Sequence, residues 1–300
     1  MDFSRLKIWF KAIRPHTLPA SIAPSVIGIC TAYDYWQQQE IQGNFPFFAG
    51  VACVLFGLFA QIASNLSNDY FDYKAGVDQQ GKSQKERLLL NGNLSPKKIL
   101  MGALFFLTVG CLFGLYTIFY AGWGIILLGL LVAAGVFAYT AGPYPLAHRG
   151  FSELCVIVFY GLIAVGGTFY VLTATYSWKA FFFGLGMGLA TNNIMMVNNY
   201  RDREVDRAVG KQTLANKVSV ATFLNLYLVE GILAVLCFAA FVLVEGKYWY
   251  LLSLLYLFPH YVLQQKIKKV THNPDLNPLL AETSMLCLWL AVLAVLGILL

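Results

Sequence analysis

Seven of the fifteen acidic residues in this 300-residue chain fall in two short segments: Asp69, Asp72, Asp78 and Glu86 in one, Asp202, Glu204 and Asp206 in the other. Amides and carboxylates recur around them every three or four residues, as Gln61, Asn65, Asn68/Asp69 and Asp72, and again as Asn192, Asn199, Asp202 and Asp206 with Met195 in register. On a helix that spacing lines a single face. Gly76 and Gly210 each follow four residues behind an aspartate and offer matching helix stops, so Asp72-x-x-x-Gly76 and Asp206-x-x-x-Gly210 read as a faint internal repeat.

Four carboxylates gathered in one mouth repel unless something cationic sits between them. Hard divalent cations take oxygen ligands, and Mg²⁺ commonly binds through one or two carboxylates plus substrate phosphate oxygens and waters. Asp69/Asp72 and Asp202/Asp206 are therefore expected to form two half-sites for Mg²⁺ bridging a phosphorylated substrate. Lys211, Arg149 and Arg14 are placed to neutralise the rest of such an anion. The competing reading is a set of solvated loop charges that pair with one another.

The elements that carry these stripes must cross a membrane. At 58% hydrophobic and 12% charged, the chain is far from the roughly 45–50% apolar and 25% charged usage of soluble domains. That composition excludes a water-soluble enzyme, a disordered chain and a small disulfide scaffold. Apolar spans are expected at about 18–35, 46–66, 99–119, 124–141, 153–173, 180–198, 220–244, 248–264 and 279–300, an all-α polytopic membrane protein of nine transmembrane helices forming one domain over residues 1–300. The basic amino-terminal run (Arg5, Lys7, Lys11, Arg14) precedes an apolar stretch that is too long for a signal peptide and contains Pro19 and Pro24, so it is expected to be retained as the first span. With that topology 19 of the 21 Lys and Arg residues fall on one side, leaving Lys179 and Lys247 on the other. Cytoplasmic loops carry such an excess, which puts the amino terminus and both acidic segments in the cytoplasm. The net charge of +6 is then topology. No basic stretch is interleaved with aromatics as a nucleic-acid site requires. The six cysteines stand singly and are expected to be buried thiols.

Asn65-Leu-Ser-Asn68-Asp69-Tyr-Phe-Asp72-Tyr-Lys-Ala-Gly76-Val-Asp78 resembles the first Asp-rich motif of the UbiA superfamily of intramembrane aromatic prenyltransferases. Asn198-Asn199-Tyr-Arg-Asp202-Arg-Glu-Val-Asp206-Arg-Ala-Val-Gly210-Lys211 resembles the second. The opening Arg14-Pro15-His16-Thr17-Leu18-Pro19 and the segment Tyr139-Thr-Ala-Gly-Pro143-Tyr144-Pro145-Leu-Ala-His-Arg149-Gly150 are similar to the branch that uses 1,4-dihydroxy-2-naphthoate. The resemblance implies nine helices around a central cavity capped by two Asp-rich cytoplasmic loops, in the cell inner membrane. It implies Mg²⁺ held by Asp69, Asp72, Asp202 and Asp206 against the diphosphate of a polyprenyl diphosphate, with the isoprenoid tail among the helices. Asn65 and Asn68 join that metal and diphosphate set; Asn199 binds substrate; Lys211, Arg149 and Arg14 are anion ligands; Tyr139 faces an allylic cation. Two positions depart from the family pattern. Gly76 stands where many members have a third carboxylate, and the Gly81–Asn91 stretch lacks the Arg-Gly-Pro type sequence of relatives, so neither Asp78 nor Arg87 carries an assigned role.

The implied reaction is decarboxylative prenylation of 1,4-dihydroxy-2-naphthoate in menaquinone biosynthesis. A different acceptor, 4-hydroxybenzoate or homogentisate, would need the same diphosphate chemistry. A secondary transporter is the alternative of another class, but transporters place their polar groups near the bilayer midplane, whereas these carboxylates collect at one face. Glu230 inside the seventh span is a costly charge to which no role is given. His148 and His260, each without a metal-ligand partner, are expected to be interfacial, and the run Gly184-x-Gly186-x-Gly188 is expected to serve helix packing.

Overall fold

The computed structural model describes residues 3–74, 94–270 and 275–300, and the regular elements among them are all helical. In chain order they are α1 (Phe3–Ile13), α2 (Pro19–Gln38), α3 (Phe47–Lys74), α4 (Pro96–Ala121), α5 (Ile125–Ala138), α6 (Ser152–Thr173), α7 (Trp178–Ala208), α8 (Val220–Glu245), α9 (Leu257–Lys269) and α10 (Leu276–Leu299), with short 3₁₀ turns between some of them. Proline at the first position starts α2 and α4, where its missing N–H costs nothing.

Six of these helices, α3, α4, α6, α7, α8 and α10, are long and apolar enough to cross a membrane. The other three expected spans differ from the simple picture. α2 carries Asp34 and ends in a pair of glutamines. α5 has 14 residues, a rise of about 21 Å against a hydrocarbon core of roughly 30 Å. The eighth stretch starts as nine residues of 3₁₀ helix, Tyr248–Tyr256, before α9. Hydropathy averages over a window and does not register these changes of length and winding.

α7 is the axis of the bundle. Phe183, Met187, Ala190, Met196 and Val197 along it are buried, and α2, α6, α8 and α10 pack around it. α4, by contrast, leaves Met101, Phe105, Leu112 and Leu115 exposed, an apolar face suited to lipid. The glycine run does serve packing: Gly161 of α6 lies so close to the backbone of Gly184 and Gly188 that a Cβ there would overlap both. The same part of α6, Ile157–Gly167, winds as a π-helix, a widened geometry often found beside functional sites.

Two polar groups inside the bundle find partners that their sequence positions did not reveal. The Asn192 amide donates to Glu230 Oε2 at 2.9 Å. His260 is fully buried rather than interfacial. Its ring stacks between Tyr227 and Tyr256 with centroids 4.6 and 5.0 Å away, and its Nε2 lies 3.1 Å from the Tyr227 carbonyl oxygen. Gly231 is the reason it fits, because a Cβ there would occupy the imidazole's place.

At one end of the bundle Lys179 Nζ sits 2.5 Å from Asp34 Oδ2 and 2.8 Å from Glu245. Lys247 Nζ reaches Asp34 Oδ1 at 2.8 Å and the Ile298 carbonyl at 3.3 Å, while the Tyr250 hydroxyl donates to Glu245 at 2.6 Å. This cluster joins α2, α7, α8, the 3₁₀ segment and α10. The two acids balance the two lysines.

Candidate active site

The other end of α7 is different. From Lys179 to Asp202 the helix rises about 35 Å at 1.5 Å per residue, and there a cavity of about 860 Å³ opens. Its mouth is lined by Arg14, Asn68, Asp69, Asp72, Asn198, Arg201, Asp202 and Lys211. Deeper walls come from Val132 and Val136 of α5, Phe159, Tyr160 and Ala164 of α6, and Ile194 and Met195 of α7. Charge thus sits at the top and apolar surface below.

Local structure explains how each group arrives. The α3 stripe runs down one face, bringing Asp72, Asp69, Asn68 and Asn65 to the cavity. α7 ends at Ala208, and Gly210, with φ 73°, turns the chain so that Lys211 folds back with its Nζ 3.3 Å from Asp206. Arg14 occupies the left-handed region at φ 55°, unusual for a non-glycine residue. Asn65 secures that bend: its Nδ2 donates to the Ile13 carbonyl at 2.9 Å and to Thr17 Oγ1 at 3.0 Å, and its Oδ1 accepts from Gln61.

Of the eleven residues expected at the site, Arg14, Asn65, Asn68, Asp69, Asp72, Tyr139, Asn199, Asp202 and Lys211 line this one cavity. Asp206 lies just behind it, fully buried. Arg149 is not part of the lining; its guanidinium stacks on the Tyr144 ring at 4.7 Å. Asn65 lines the cavity and at the same time holds the Arg14 bend. Gly76, Asp78, Arg87 and the Gly81–Asn91 stretch lie outside the described residues.

Each of the four aspartates meets a basic group of the protein itself. Asp69 pairs with Arg14, Asp202 with Arg201 through contacts of 3.0 and 2.9 Å, Asp206 with Lys211, and Asp72 faces His148 Nε2 at 3.6 Å. The carboxylate of Asp69, with those of Asp72 and Asp202 farther off, holds the Arg14 guanidinium pKa above its usual value, against burial that lowers it. His148 and Arg201 were not among the expected site residues. For Arg201 the signal was its place within the second acidic motif; for His148 nothing in the sequence tied it to Asp72.

Among the described residues no three His, Cys, Asp or Glu side chains stand close enough to hold a metal ion by themselves. The donors are nevertheless hard: carboxylate and amide oxygens facing each other from α3 and α7 across a mouth that also holds Arg14, Arg201 and Lys211. That set suits a hard cation shared with an anionic substrate that contributes the remaining oxygens.

Residues 25–279 match the model of the UbiA prenyltransferase family. The chain belongs to the UbiA prenyltransferase family. It is a membrane-embedded prenyltransferase. Among its relatives is the 1,4-dihydroxy-2-naphthoate octaprenyltransferase of Haemophilus influenzae, 29% identical over 98% of this chain and 96% of that protein. The enzyme of the same name from Mycobacterium tuberculosis is 32% identical, covering 82% of this chain and 81% of its own. A UbiA homolog from Archaeoglobus fulgidus, solved with DMAPP and Mg²⁺, matches the fold with a TM-score of 0.65 at 14% identity, over 96% of this chain and 98% of that one. Prenyl transfer is the activity of the family to which this chain belongs, and the two enzymes from Haemophilus influenzae and Mycobacterium tuberculosis carry 1,4-dihydroxy-2-naphthoate in their names.

Proposed function

We propose that this prenyltransferase moves a polyprenyl group from polyprenyl diphosphate to 1,4-dihydroxy-2-naphthoate with loss of the acceptor's carboxylate, giving demethylmenaquinone in its quinol form. The observation that carries the reading is the cavity's polarity: acids and cations from α3 and α7 at the mouth, apolar walls beneath. A diphosphate with a lipid tail has the same polarity. The relatives' names support the naphthoate as acceptor.

Mg²⁺, when bound by Asp69, Asp72, Asp202 and Asp206, would supply positive charge to the departing diphosphate. Arg14 and Lys211 add charge-assisted donors to the same oxygens, exchanging part of their contact with Asp69 and Asp206 for the substrate. The allylic carbon–oxygen bond breaks with its electron pair leaving on diphosphate. The electron-rich ring carbon that bears the carboxylate forms the new carbon–carbon bond, the carboxylate departs from that same carbon as CO₂, and its bonding pair restores the aromatic ring. Tyr139 offers its ring face to the allylic cation, and the apolar walls exclude the water that would quench it.

In this reading the nine-helix topology puts the two Asp-rich caps, the amino terminus and the cavity mouth on the cytoplasmic side of the cell inner membrane, as the positive-inside rule requires. A single domain spans residues 1–300. The test presents isolated membranes with a polyprenyl diphosphate, Mg²⁺ and, in turn, 1,4-dihydroxy-2-naphthoate, 4-hydroxybenzoate and homogentisate, followed by mass spectrometry of the lipids. Prenylated, decarboxylated naphthoquinol formed in the presence of Mg²⁺ and lost with a chelator is the expected product. Turnover confined to another acceptor would overturn the assignment, as would substrate uptake without covalent product.

A further inference from the structure

Glu153 opens α6 in its first turn, where a carboxylate is favoured by the helix dipole. It is not one of the cavity-lining residues, and neither Asp-rich motif contains it. Both of its oxygens are nevertheless engaged toward the site. Glu153 Oε1 accepts from Asn199 Nδ2 at 3.0 Å, and Oε2 accepts from the Ser152 hydroxyl at 2.9 Å, whose own oxygen lies 3.4 Å from the same Asn199 Nδ2. Asn199 is buried and lines the cavity.

An amide has a donor end and an acceptor end, and an ionised carboxylate can accept only. Glu153 therefore fixes which end of Asn199 points where: nitrogen toward Glu153, oxygen away from it. The depth of that oxygen matters. Asn199 lies three residues, about 4.5 Å, below Asp202 on α7, at the boundary between the charged mouth and the apolar walls. One turn deeper, Met195 Sδ meets the Tyr139 hydroxyl at 3.6 Å. With the diphosphate at the mouth, the donor's reacting carbon lies at this boundary, and the acceptor ring must reach it there. The amide of Asn65 on α3 is held by Ile13, Thr17 and Gln61.

We infer that Glu153 is a positioning residue for the aromatic acceptor: it orients the Asn199 amide so that Oδ1 accepts a hydrogen bond from a hydroxyl on the acceptor ring. The inference rests on the function proposed above, and extends it to acceptor recognition. No bond is made or broken by the pair. Its part is to hold the ring with a hydroxyl docked and a ring carbon facing the allylic end.

The experiment uses the full-length enzyme in lipid nanodiscs with Mg²⁺, a polyprenyl diphosphate, and whichever ring-hydroxylated acid the wild type prenylates. Absence of product from wild type with every aromatic acid tested refutes the proposed function and this inference with it. Given wild-type turnover, Glu153→Ala is expected to raise the acceptor KM about tenfold, the scale of losing a hydrogen bond oriented by a charged group, while the donor KM stays within about twofold. Asn199→Asp, which sets two carboxylates against each other, is expected to do the same or more. The double variant E153Q/N199D restores a donor–acceptor pair with the roles exchanged, again leaves an oxygen facing the cavity, and is expected to recover the acceptor KM to within about threefold of wild type. Equal shifts in both KM values, no shift in either, or a double variant no better than N199D would each overturn the inference. Since the double variant keeps the pair's size and total charge, it decides the matter even where Glu153→Ala fails to insert.

Discussion

The two ends of α7 use the same kinds of side chain to opposite effect. At Lys179 two acids and two lysines close on one another, with Tyr250 and a main-chain carbonyl completing the set. At Asp202 four aspartates each face a separate base around a cavity of about 860 Å³. The first arrangement satisfies itself and holds five segments together. The second is a ring of pairs whose members can exchange a protein partner for a substrate. The difference lies in what stands between the charges: at Lys179 other side chains fill the space, and at Asp202 there is room for a ligand.

Neutralising one aspartate at the open end should have the largest effect. Asp72→Asn is expected to lower prenyl transfer by about a thousandfold, the upper range for removing a group that stabilises developing charge, with membrane insertion unchanged; product formation by mass spectrometry and a protease-protection assay check both halves. Retention of near-normal turnover would sink the role given to Asp72. At the closed end the loss should appear as stability. Lys179→Met leaves Asp34 and Glu245 without their shared cation and is expected to destabilise the fold by about 3 kcal/mol, as breaking a buried pair does. Thermal unfolding in detergent measures this, and kcat per folded molecule should remain within about twofold. Arg14→Lys is a subtler change at the open end. A lysine keeps the charge but loses the planar fork, so the donor KM is expected to rise about tenfold at fixed acceptor, read from initial rates. The smallest effect belongs to Lys247→Met. This side chain is 31% exposed, so water screens its pair, and a loss below about 1 kcal/mol is expected in the same unfolding experiment. A Lys247 effect as large as that of Lys179 would show that the closed end is not organised around the buried lysine.

Local patterns of the sequence carried the two stripes well, because a helix turns spacing directly into a face. Gly210 was legible as a stop for the same reason: a left-handed turn is a property of a few adjacent residues. Pairings across the chain were not legible. Glu153 and Asn199 are 46 residues apart, and Asp34 meets Lys179 and Lys247 at separations of 145 and 213. His260 read as interfacial because only its neighbours along the chain were visible, whereas Gly231 on another helix makes its pocket. Asn65 lines the cavity as its stripe predicts, and its bond to the Ile13 carbonyl is a further contact that no side-chain spacing records. The shortness of α5 and the π-winding of α6 were hidden by the same averaging that makes hydropathy useful. Lys179 and Lys247 stood out in the sequence as the two basic residues off the crowded side. The structure gives both of them the same partner, Asp34.

That shared partner also sets a schedule. Asp34 is made early, while Lys179 follows 145 residues later and Lys247 after 213. At roughly 5–20 residues per second, the carboxylate waits on the order of ten seconds or more for its first lysine. Lys247 also bonds the Ile298 carbonyl, made 51 residues after it. The ion cluster can therefore close only after the segments that carry Asp34, Lys179, Glu245 and Lys247 have all been made, so until Lys247 emerges that end of the bundle holds an unfinished lock.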